Sequence, residues 1–361
     1  MSRSKINSKS GFLLSLIFVG SLAGVSLLRT SFQTAERDPH YLWLKKSAGL
    51  TQHWFNIIKE KKIDLGISGD SKSIVPNSFM IGDEYTPLTT TLGSLEAKEL
   101  STNPDYSAVI LKMLFEEGID SSSKIGITIS GSFPALAIAS LAACKTIGAK
   151  VVLFSSLGSS SHGANQPLAT WLDYEHWLVE SGELPYRSAI VTKGAENDMG
   201  EGMLEDADSI FISAAGRNGY SIYQPADLLE SINRKTELLV ESKISLLINI
   251  GGNHASLGSC AHAVSIPNGY NKPYKICSDE ERGIINRVSE EGIPFIHLLN
   301  IKDLSVKSGI PLEPGMTYGD SENVYFANTI NKYAAVLLLI VILSFLLSFK
   351  YYQTNLRKPN D

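Results

Sequence analysis

Short apolar runs alternate with longer amphipathic segments along most of the chain. The runs are about five residues long and apolar on both faces, which predicts buried strands. These strands cover residues 124–129, 151–154, 189–192, 209–213, 245–250 and 294–298, with a further short strand at 78–81. Helical spacing of apolar positions predicts helices over residues 38–65, 105–117, 135–145, 167–179, 225–241 and 280–291. We therefore expect an α/β fold with a mostly parallel, Rossmann-like three-layer sheet.

Two long uncharged stretches lie near the ends of the chain. Residues 11–28 and 333–349 contain only apolar, aromatic or small polar side chains, and stretches of about eighteen such residues can cross a bilayer. Basic residues lie on the outer flanks of both stretches, namely Arg3, Lys5, Lys9, Lys350, Arg357 and Lys358. We expect two transmembrane helices, with a cleaved signal peptide as the alternative for the first.

The basic flanks also predict the topology. Segments rich in Lys and Arg next to a membrane span tend to stay in the cytoplasm, so both termini are expected there. This gives a cytoplasmic tail and first transmembrane helix over 1–29, an extracytoplasmic α/β domain over 30–331, and a second transmembrane helix with a basic cytoplasmic tail over 332–361. A division of the outer domain near residues 181–187 stays open.

The outer domain is predicted to be acidic. The chain has a formal net charge of −5, and the two tails contribute +3 and +2, so the remainder carries −10. A negative field of this kind disfavours broad binding of polyanions, and no nucleic-acid partner is expected. An acidic ligand would need local basic groups or backbone amides.

Polar, glycine-rich loops follow most of the predicted strands. In open α/β sheets, ligands bind beyond the carboxyl ends of the strands, near helix N-termini. The loops are SGSF, SSLGSSSHGAN, KGAENDMGEG, AAGRNG and GGNHASLG. Glycines let backbone amides approach a ligand, and serine or asparagine side chains bind carboxylate or carbonyl groups. The predicted ligand-binding residues are Ser130, Gly131, Asn165, Lys193, Arg217, Gly251, Gly252 and Asn253.

Three kinds of chemistry are open for these loops. A serine nucleophile could act with a histidine base, since the turn SGSFP links a strand to a helix as a nucleophile elbow does, although it lacks the G-x-S-x-G pattern. The loops could instead bind an anion without chemistry, because residues 127–156 resemble the phosphosugar-binding core of sugar isomerase domains.

A metal site is the third alternative, formed by His162, His254, Glu196 and Asp198. No ligand-spacing motif supports it, so neither a metal nor a cofactor is predicted. The nucleophile in the first alternative is Ser130, Ser132 or Ser156. The predicted catalytic residues are Ser132, His162, His254, Glu196 and Asp198.

The three cysteines have different surroundings. Cys144 lies in an apolar predicted helix and is expected in the core. Cys260 and Cys277 flank a loop that contains two prolines, and they could pair if the domain lies outside the cytoplasm. Their pairing stays open at this point.

Several stretches together resemble the bacterial poly-γ-glutamate system protein family over nearly the full length of the chain. They are the two terminal spans, ISGSFPALAIASLAACKTIGAKVVLFSSLGSSSHGAN, KGAENDMGEG and NIGGNHASLG. The resemblance implies a component of the bacterial cytoplasmic membrane that serves poly-γ-glutamate capsule biosynthesis or export. The implied partners are the polymer or its chain end, membrane subunits of the synthase or exporter, and the lipid bilayer.

The resemblance assigns no catalytic residue. We expect the outer domain to bind an acidic chain end through backbone amides together with Lys193 or Arg217. The alternative is a serine-dependent hydrolase or transferase that acts on γ-glutamyl amide bonds, with backbone amides stabilising the oxyanion.

Overall fold

The chain divides into two compact units. A computed structural model describes residues 2–67, 73–275, 277, 282–313 and 321–356. The terminal unit consists of Met1–Pro39 and Phe326–Asp361, and the central unit of His40–Tyr325. Residues 30–39 and 326–331, which the sequence assigns to the outer domain, therefore cluster with the terminal helices. Arg357 and Lys358 of the predicted basic tail lie outside the described residues.

Helices and strands alternate through most of the described residues. The strands are β1 (Gln33–Arg37), β2 (Lys124–Ser130), β3 (Lys150–Ser156), β4 (Asn165–Gln166), β5 (Ala169–Thr170), β6 (Ser188–Thr192), β7 (Leu246–Ile250), β8 (Gly269–Asn271), β9 (Phe295–Leu298) and β10 (Phe326–Ile330). The helices are α1 (Ser2–Ser31), α2 (Tyr41–Asp64), α3 (Leu95–Ser101), α4 (Asp105–Glu116), α5 (Pro134–Ile147), α6 (Trp171–Glu180), α7 (Asp206–Arg217), α8 (Leu228–Glu241), α9 (His254–Leu257), α10 (Ile284–Glu290), α11 (Ile301–Ser308), α12 (Glu322–Tyr325) and α13 (Lys332–Leu356).

A six-stranded sheet forms the centre of the central unit. Its strand order is β6–β3–β2–β7–β9–β8, and neighbouring strands are parallel except for β8 against β9. The chain adds β3 and β6 on one side of β2 and then returns to add β7 and β9 on the other. Such a reversal leaves a crevice beyond the carboxyl ends of the two strands beside it. The predicted α/β class with a mostly parallel sheet is confirmed.

The segment from β2 to β3 is a βαβ unit in the middle of this sheet. α5 begins at Pro134, whose fixed φ suits the first helical turn. It ends before Gly148, which adopts a left-handed φ of 77° and donates its N–H to the carbonyl groups of the last turn. Every α5 residue except Lys145 is buried, including Cys144, which is a free thiol in the core as the sequence predicts.

Residues 209–213, predicted as a strand, belong to helix α7 instead. α7 begins with Asp206 and Asp208 and ends with Arg217, the order of charges that the helix dipole favours. The buried residues Phe211 and Ala215 are four apart, which is helical spacing. The AAGRNG sequence is therefore the end of a helix and does not follow a strand.

Other boundaries also differ from the sequence prediction. Ser78–Met80 forms a 3₁₀ helix and not a strand. The short antiparallel pair of β4 and β5 occupies the start of the helix predicted over 167–179, so that α6 begins only at Trp171. In the helix predicted over 280–291, residues 280–281 lie outside the described residues and α10 begins at Ile284.

The terminal unit is a pair of apolar helices joined by a two-stranded ribbon. β1 and β10 pair antiparallel, directly after α1 and directly before α13. A Cβ on Gly24 would lie 2.7 Å from Leu338 Cδ1, so the glycine permits close packing of α1 on α13. Gly11–Ser31 and Lys332–Thr354 are long and apolar enough to cross a membrane. Because the ribbon joins one end of each helix, the other ends of α1 and α13 lie at the opposite end of the helix pair.

A disulfide joins Cys260 to Cys277 in the segment that follows β7. This answers the question that the sequence leaves open about these two residues. Disulfides persist in oxidising compartments such as the periplasm or the cell exterior. The bond also closes the chain around β8, the edge strand of the sheet.

We expect the double variant Cys260→Ser/Cys277→Ser to lower the free energy of unfolding by about 3 kcal/mol, because the bond restricts the unfolded chain across a sequence separation of 17. Thermal unfolding measures this. Reductant should lower the unfolding temperature of the wild-type protein and leave that of the double variant unchanged. If reductant did not change the unfolding temperature of the wild type, the pairing of the two cysteines would be contradicted.

Candidate functional site

A cavity of about 750 Å³ opens beyond the carboxyl ends of β2 and β7. Its lining comes mainly from residues 90–98, 130–133, 158–160, 195–202 and 252–254. Four of these five segments belong to loops that the sequence places at strand ends. The fifth, residues 90–98, is not among those loops.

The serines after β2 are hydrogen-bonded to one another. Ser130 Oγ donates to Ser132 Oγ at 2.9 Å, and the N–H of Ser132 donates back to Ser130 Oγ at 3.2 Å. Ser132 Oγ also accepts the N–H of Ser160 at 3.0 Å. The N–H of Gly131 donates to the carbonyl of Ser156 at 2.9 Å, so this amide is used within the sheet and does not face a ligand.

Lys98 lines the cavity, although sequence reasoning does not single it out. It lies on α3, whose first turn is capped by Ser94, and its side chain is only 2% exposed. Its Nζ donates to Ser160 Oγ at 2.8 Å and to the carbonyl of Ser132, and lies 3.9 Å from the centre of the Phe133 ring. Burial lowers the pKa of Lys98 from 10.5 to about 7. Near neutral pH this amine is therefore present in both its charged and neutral forms.

The wall that carries Lys98 is fixed to the loop after β3. Thr90 N–H donates to the carbonyl of Ser159 at 2.8 Å, and Ser161 N–H to that of Thr91 at 2.9 Å. Asn165, predicted as a ligand-binding residue, is fully buried. Its amide donates to the carbonyl of Asp83 at 2.7 Å, and its oxygen accepts the N–H of Asp83 at 3.0 Å. Asn165 thus holds the wall in place and does not reach the cavity.

Asp198, predicted as a catalytic residue, is a buried structural carboxylate. It forms an ion pair with Lys235 and accepts hydrogen bonds from Ser231 Oγ at 2.6 Å and Thr192 Oγ1 at 2.9 Å. Burial alone would raise the pKa of Asp198, but the Lys235 ammonium and the hydroxyl donors hold it below its ordinary value. The carboxylate fixes the loop after β6 and lies outside the cavity lining.

The two histidines do not form a pair with Ser132 in the described structure. His254 lines the cavity, but its Nδ1 accepts the N–H of Asn197 at 3.0 Å, so Nε2 carries the proton and donates to Ser259 Oγ at 3.0 Å. Both ring nitrogens of His254 are therefore engaged, Nδ1 by Asn197 of the loop after β6 and Nε2 by Ser259 of its own loop. His162 is buried and lies outside the cavity lining, and its backbone N–H donates to the carbonyl of Asp83 at 2.9 Å.

The two predicted cationic ligands also lie outside the cavity lining. Lys193 pairs with Asp208 at 2.7 Å. Arg217 forms a two-point contact with Asp173, with distances of 2.7 Å from Nε and 2.6 Å from NH2. The Arg217 guanidinium is therefore occupied by its carboxylate partner and does not serve as a ligand-binding group here. The partner of Arg217 is 44 residues away in the chain, so the sequence pattern does not reveal it.

The remaining predicted residues divide between backbone support and the cavity lining. Gly251 has a φ of 88° and donates its N–H to the carbonyl of Leu298, while Gly252 and Asn253 line the cavity. Glu196 is exposed and borders the cavity together with Glu201. Among the described residues, no group of three or more His, Cys, Asp or Glu side chains is placed to hold a metal ion.

The fold and the cavity define a class: an α/β domain with a ligand-sized crevice at the reversal point of a mostly parallel sheet. Comparisons of the chain with protein-family models, with curated proteins and with solved structures give no match. Because a fold of this class serves many functions, it is the side chains of the site that distinguish among them.

We expect Lys98→Met to change how stability depends on pH. The folded pKa of about 7 lies below the ordinary value of 10.5, so between these values the unfolded chain binds more protons than the folded one. Stability of the wild type therefore rises with pH across this window, and the variant loses that contribution. Thermal unfolding of the detergent-solubilised chain at pH 6 to 10 measures the difference. The matched variant Lys307→Met, at an exposed surface pair, should follow the wild type throughout.

We expect Asp198→Asn to lower the free energy of unfolding by about 3–5 kcal/mol, since it leaves the Lys235 ammonium buried without its carboxylate. Urea unfolding at pH 7 measures the loss. Because the pKa of Asp198 is lower in the folded chain than in the unfolded chain, its carboxylate stabilises the fold fully above the unfolded pKa. This stabilisation is lost as pH falls through the folded pKa. Asp303→Asn, which breaks the exposed Lys307–Asp303 pair, is the control and should cost less than about 1 kcal/mol. Equal losses for the two variants would contradict the structural role of Asp198.

Proposed function

We propose that this chain is a membrane-anchored component of a bacterial poly-γ-glutamate biosynthesis or export system, and that its central unit binds the acidic chain end of the polymer. The observation that carries the proposal is that Ser132 and Phe133, the two residues directly before α5, line the cavity. No side chain caps this helix end. Uncapped first-turn amides and neighbouring hydroxyls are suitable donors for a carboxylate.

The charges around the cavity favour one chain end over the body of the polymer. Glu196 and Glu201 border the cavity, and the domain as a whole is acidic, so a polyanion would be repelled from its surface. The amino-terminal residue of poly-γ-glutamate carries an ammonium beside its α-carboxylate. The carboxylate would meet the N-terminus of α5, and the ammonium would meet the two glutamates. We therefore infer that the amino-terminal end is the bound end.

The proposed location is the bacterial cytoplasmic membrane, with both termini in the cytoplasm and the central unit outside. Three observations support it. Two helices are long and apolar enough to span a membrane. The β1–β10 ribbon joins the two helices at one end, so their other ends would lie on the same side of a membrane. The Cys260–Cys277 disulfide suits an oxidising compartment. The apolar helices would also contact the bilayer and the membrane subunits of the synthase or exporter.

The finer description of the central unit as Rossmann-like belongs to this proposal. Numbered within the sheet, its strand order is 3-2-1-4-6-5, and the reversal after the third strand is that of dinucleotide-binding folds. The position of the cavity at the reversal point supports the description. No cofactor is part of the proposal.

The test is binding of a γ-glutamyl oligomer, labelled at its carboxyl-terminal end, to the full chain in detergent. Ser132→Asp places a carboxylate at the N-terminus of α5 and should weaken binding at least about tenfold, as fluorescence anisotropy would show. Ser132→Asn, which is neutral and keeps a hydrogen-bond donor, should weaken binding less than Ser132→Asp does. Ser209→Asp, at an exposed remote serine, is the control and should bind as the wild type does.

The bound end is tested with the same oligomer after acetylation of its amino terminus. Loss of the ammonium should weaken binding, and Glu196→Gln should then cause no further loss. The proposed site would be ruled out if the wild type did not bind the unacetylated oligomer. It would also be ruled out if the Ser132→Asp variant bound the oligomer as tightly as the wild type does.

A further inference from the structure

A lysine amine and a serine hydroxyl meet at the inner wall of the cavity. Lys98 Nζ lies 2.8 Å from Ser160 Oγ, and both residues line the cavity. Lys98 is buried, while Ser160 is partly exposed. A ligand in the cavity can therefore reach the hydroxyl, and the amine lies behind it.

We propose that Ser160 and Lys98 are a nucleophile and general base that cleave or transfer an amide-linked acyl group in this cavity. The pairing comes from geometry, and only the substrate class, a γ-glutamyl amide, rests on the proposed function. Serine–lysine pairs are an established variant of serine nucleophile chemistry in other folds. Ser160 replaces the nucleophile predicted from the sequence, Ser132, and Lys98 replaces the predicted histidine bases.

Lys98 has the surroundings that a lysine base requires. Within the described residues, no carboxylate forms an ion pair with it; its contacts are the Ser160 hydroxyl, the Ser132 carbonyl and the Phe133 ring. Burial lowers its pKa to about 7, so a neutral amine is available near physiological pH.

The other titratable groups on α3 and in the cavity lining are as follows. On α3, Glu96 pairs with Lys302, and Glu99 accepts a hydrogen bond from Ser73. The other titratable residues that line the cavity are Glu196, Glu201 and His254. The Nδ1 of His254 is occupied by a backbone N–H.

The reaction is balanced with the substrate and water alone. Ser160 Oγ attacks the amide carbonyl carbon while neutral Lys98 takes the hydroxyl proton. The C–N bond then breaks, the amine leaves with the proton from the Lys98 ammonium, and an acyl ester remains on Ser160. Water attacks the ester and gives a proton to Lys98, which returns it to the departing Ser160 oxygen. The products are a carboxylic acid and an amine; an amine in place of water gives transfer.

Two neighbouring residues shape the surroundings of the nucleophile: one fixes its backbone and the other leaves space beside it. The N–H of Ser160 donates to Ser132 Oγ at 3.0 Å, which fixes the backbone of the nucleophile, so Ser132 is a positioning residue. A Cβ on Gly93 would lie 3.1 Å from Ser160 Oγ and 2.7 Å from the carbonyl of Ser161. Glycine at position 93 therefore leaves room for a substrate beside the hydroxyl.

The test uses the full chain in detergent and a fluorophosphonate probe, which reacts with activated serines whatever the natural substrate. Peptide mass spectrometry should locate the label on Ser160. Ser160→Ala should abolish labelling. Lys98→Met should slow it by about 10²–10⁴-fold, the usual contribution of a general base. The wild-type rate should rise as pH increases through about 7.

Control variants separate chemistry from folding. Ser209→Ala and Lys307→Met change exposed residues and should label at the wild-type rate. Lys98→Arg keeps a cation that cannot deprotonate, and it should lose labelling as Lys98→Met does. Each variant is accepted as folded when Cys144 stays inaccessible to thiol reagents, as expected for a buried cysteine.

Label on Ser132, absence of label on the wild type, or an unchanged rate in folded Lys98→Met would overturn the proposal. Oligomer binding distinguishes this failure from failure of the proposed function. Ser160→Ala should still bind the γ-glutamyl oligomer and leave its length unchanged, whereas the wild type should shorten or extend it. If the chain binds the oligomer but Ser160 does not react, the proposed catalytic pair is wrong and the proposed binding function stands.

Discussion

The parallel pairing of β2 with both β3 and β7 is the constraint on which the site depends. Ser130 lies opposite Ser156 on one side of β2, and Ile129 lies opposite Ile250 on the other. This register brings three polar loops to one edge of the sheet. Shifting β2 by one residue would exchange its two faces and separate these loops. The positions of the cavity hydroxyls therefore depend on the register of the sheet beneath them.

Much of this arrangement can be predicted from local sequence. The β-branched runs of β2 and β3, with Pro134 and Gly148 at the ends of α5, indicate a βαβ unit because each signal acts within a few residues. α7 escapes prediction because its apolar segment SIFIS has the composition of a strand. Its acidic first turn and basic last turn are the features that identify the helix.

The chemistry of the site is less visible in the sequence because it depends on distant partners. Lys98 lies in the segment LEAKELS, whose composition is typical of an exposed helix. Its burial comes from Ser132 and Ser160, which are 34 and 62 residues away. In the same way, Asp198 is neutralised by a lysine 37 residues later. Loop composition predicts which segments meet, and tertiary contacts decide which side chains face the ligand.

The ribbon of β1 and β10 has a consequence for how the protein is made. Thr34 and Thr329 are neighbours in the ribbon although 295 residues separate them. The first helix must therefore wait, without its partner, until nearly the whole chain has been synthesised. The central unit, whose residues are continuous in sequence, can fold during that interval. Pairing of β10 with β1 therefore comes after synthesis of the central unit, and it joins two segments that flank a unit able to fold beforehand.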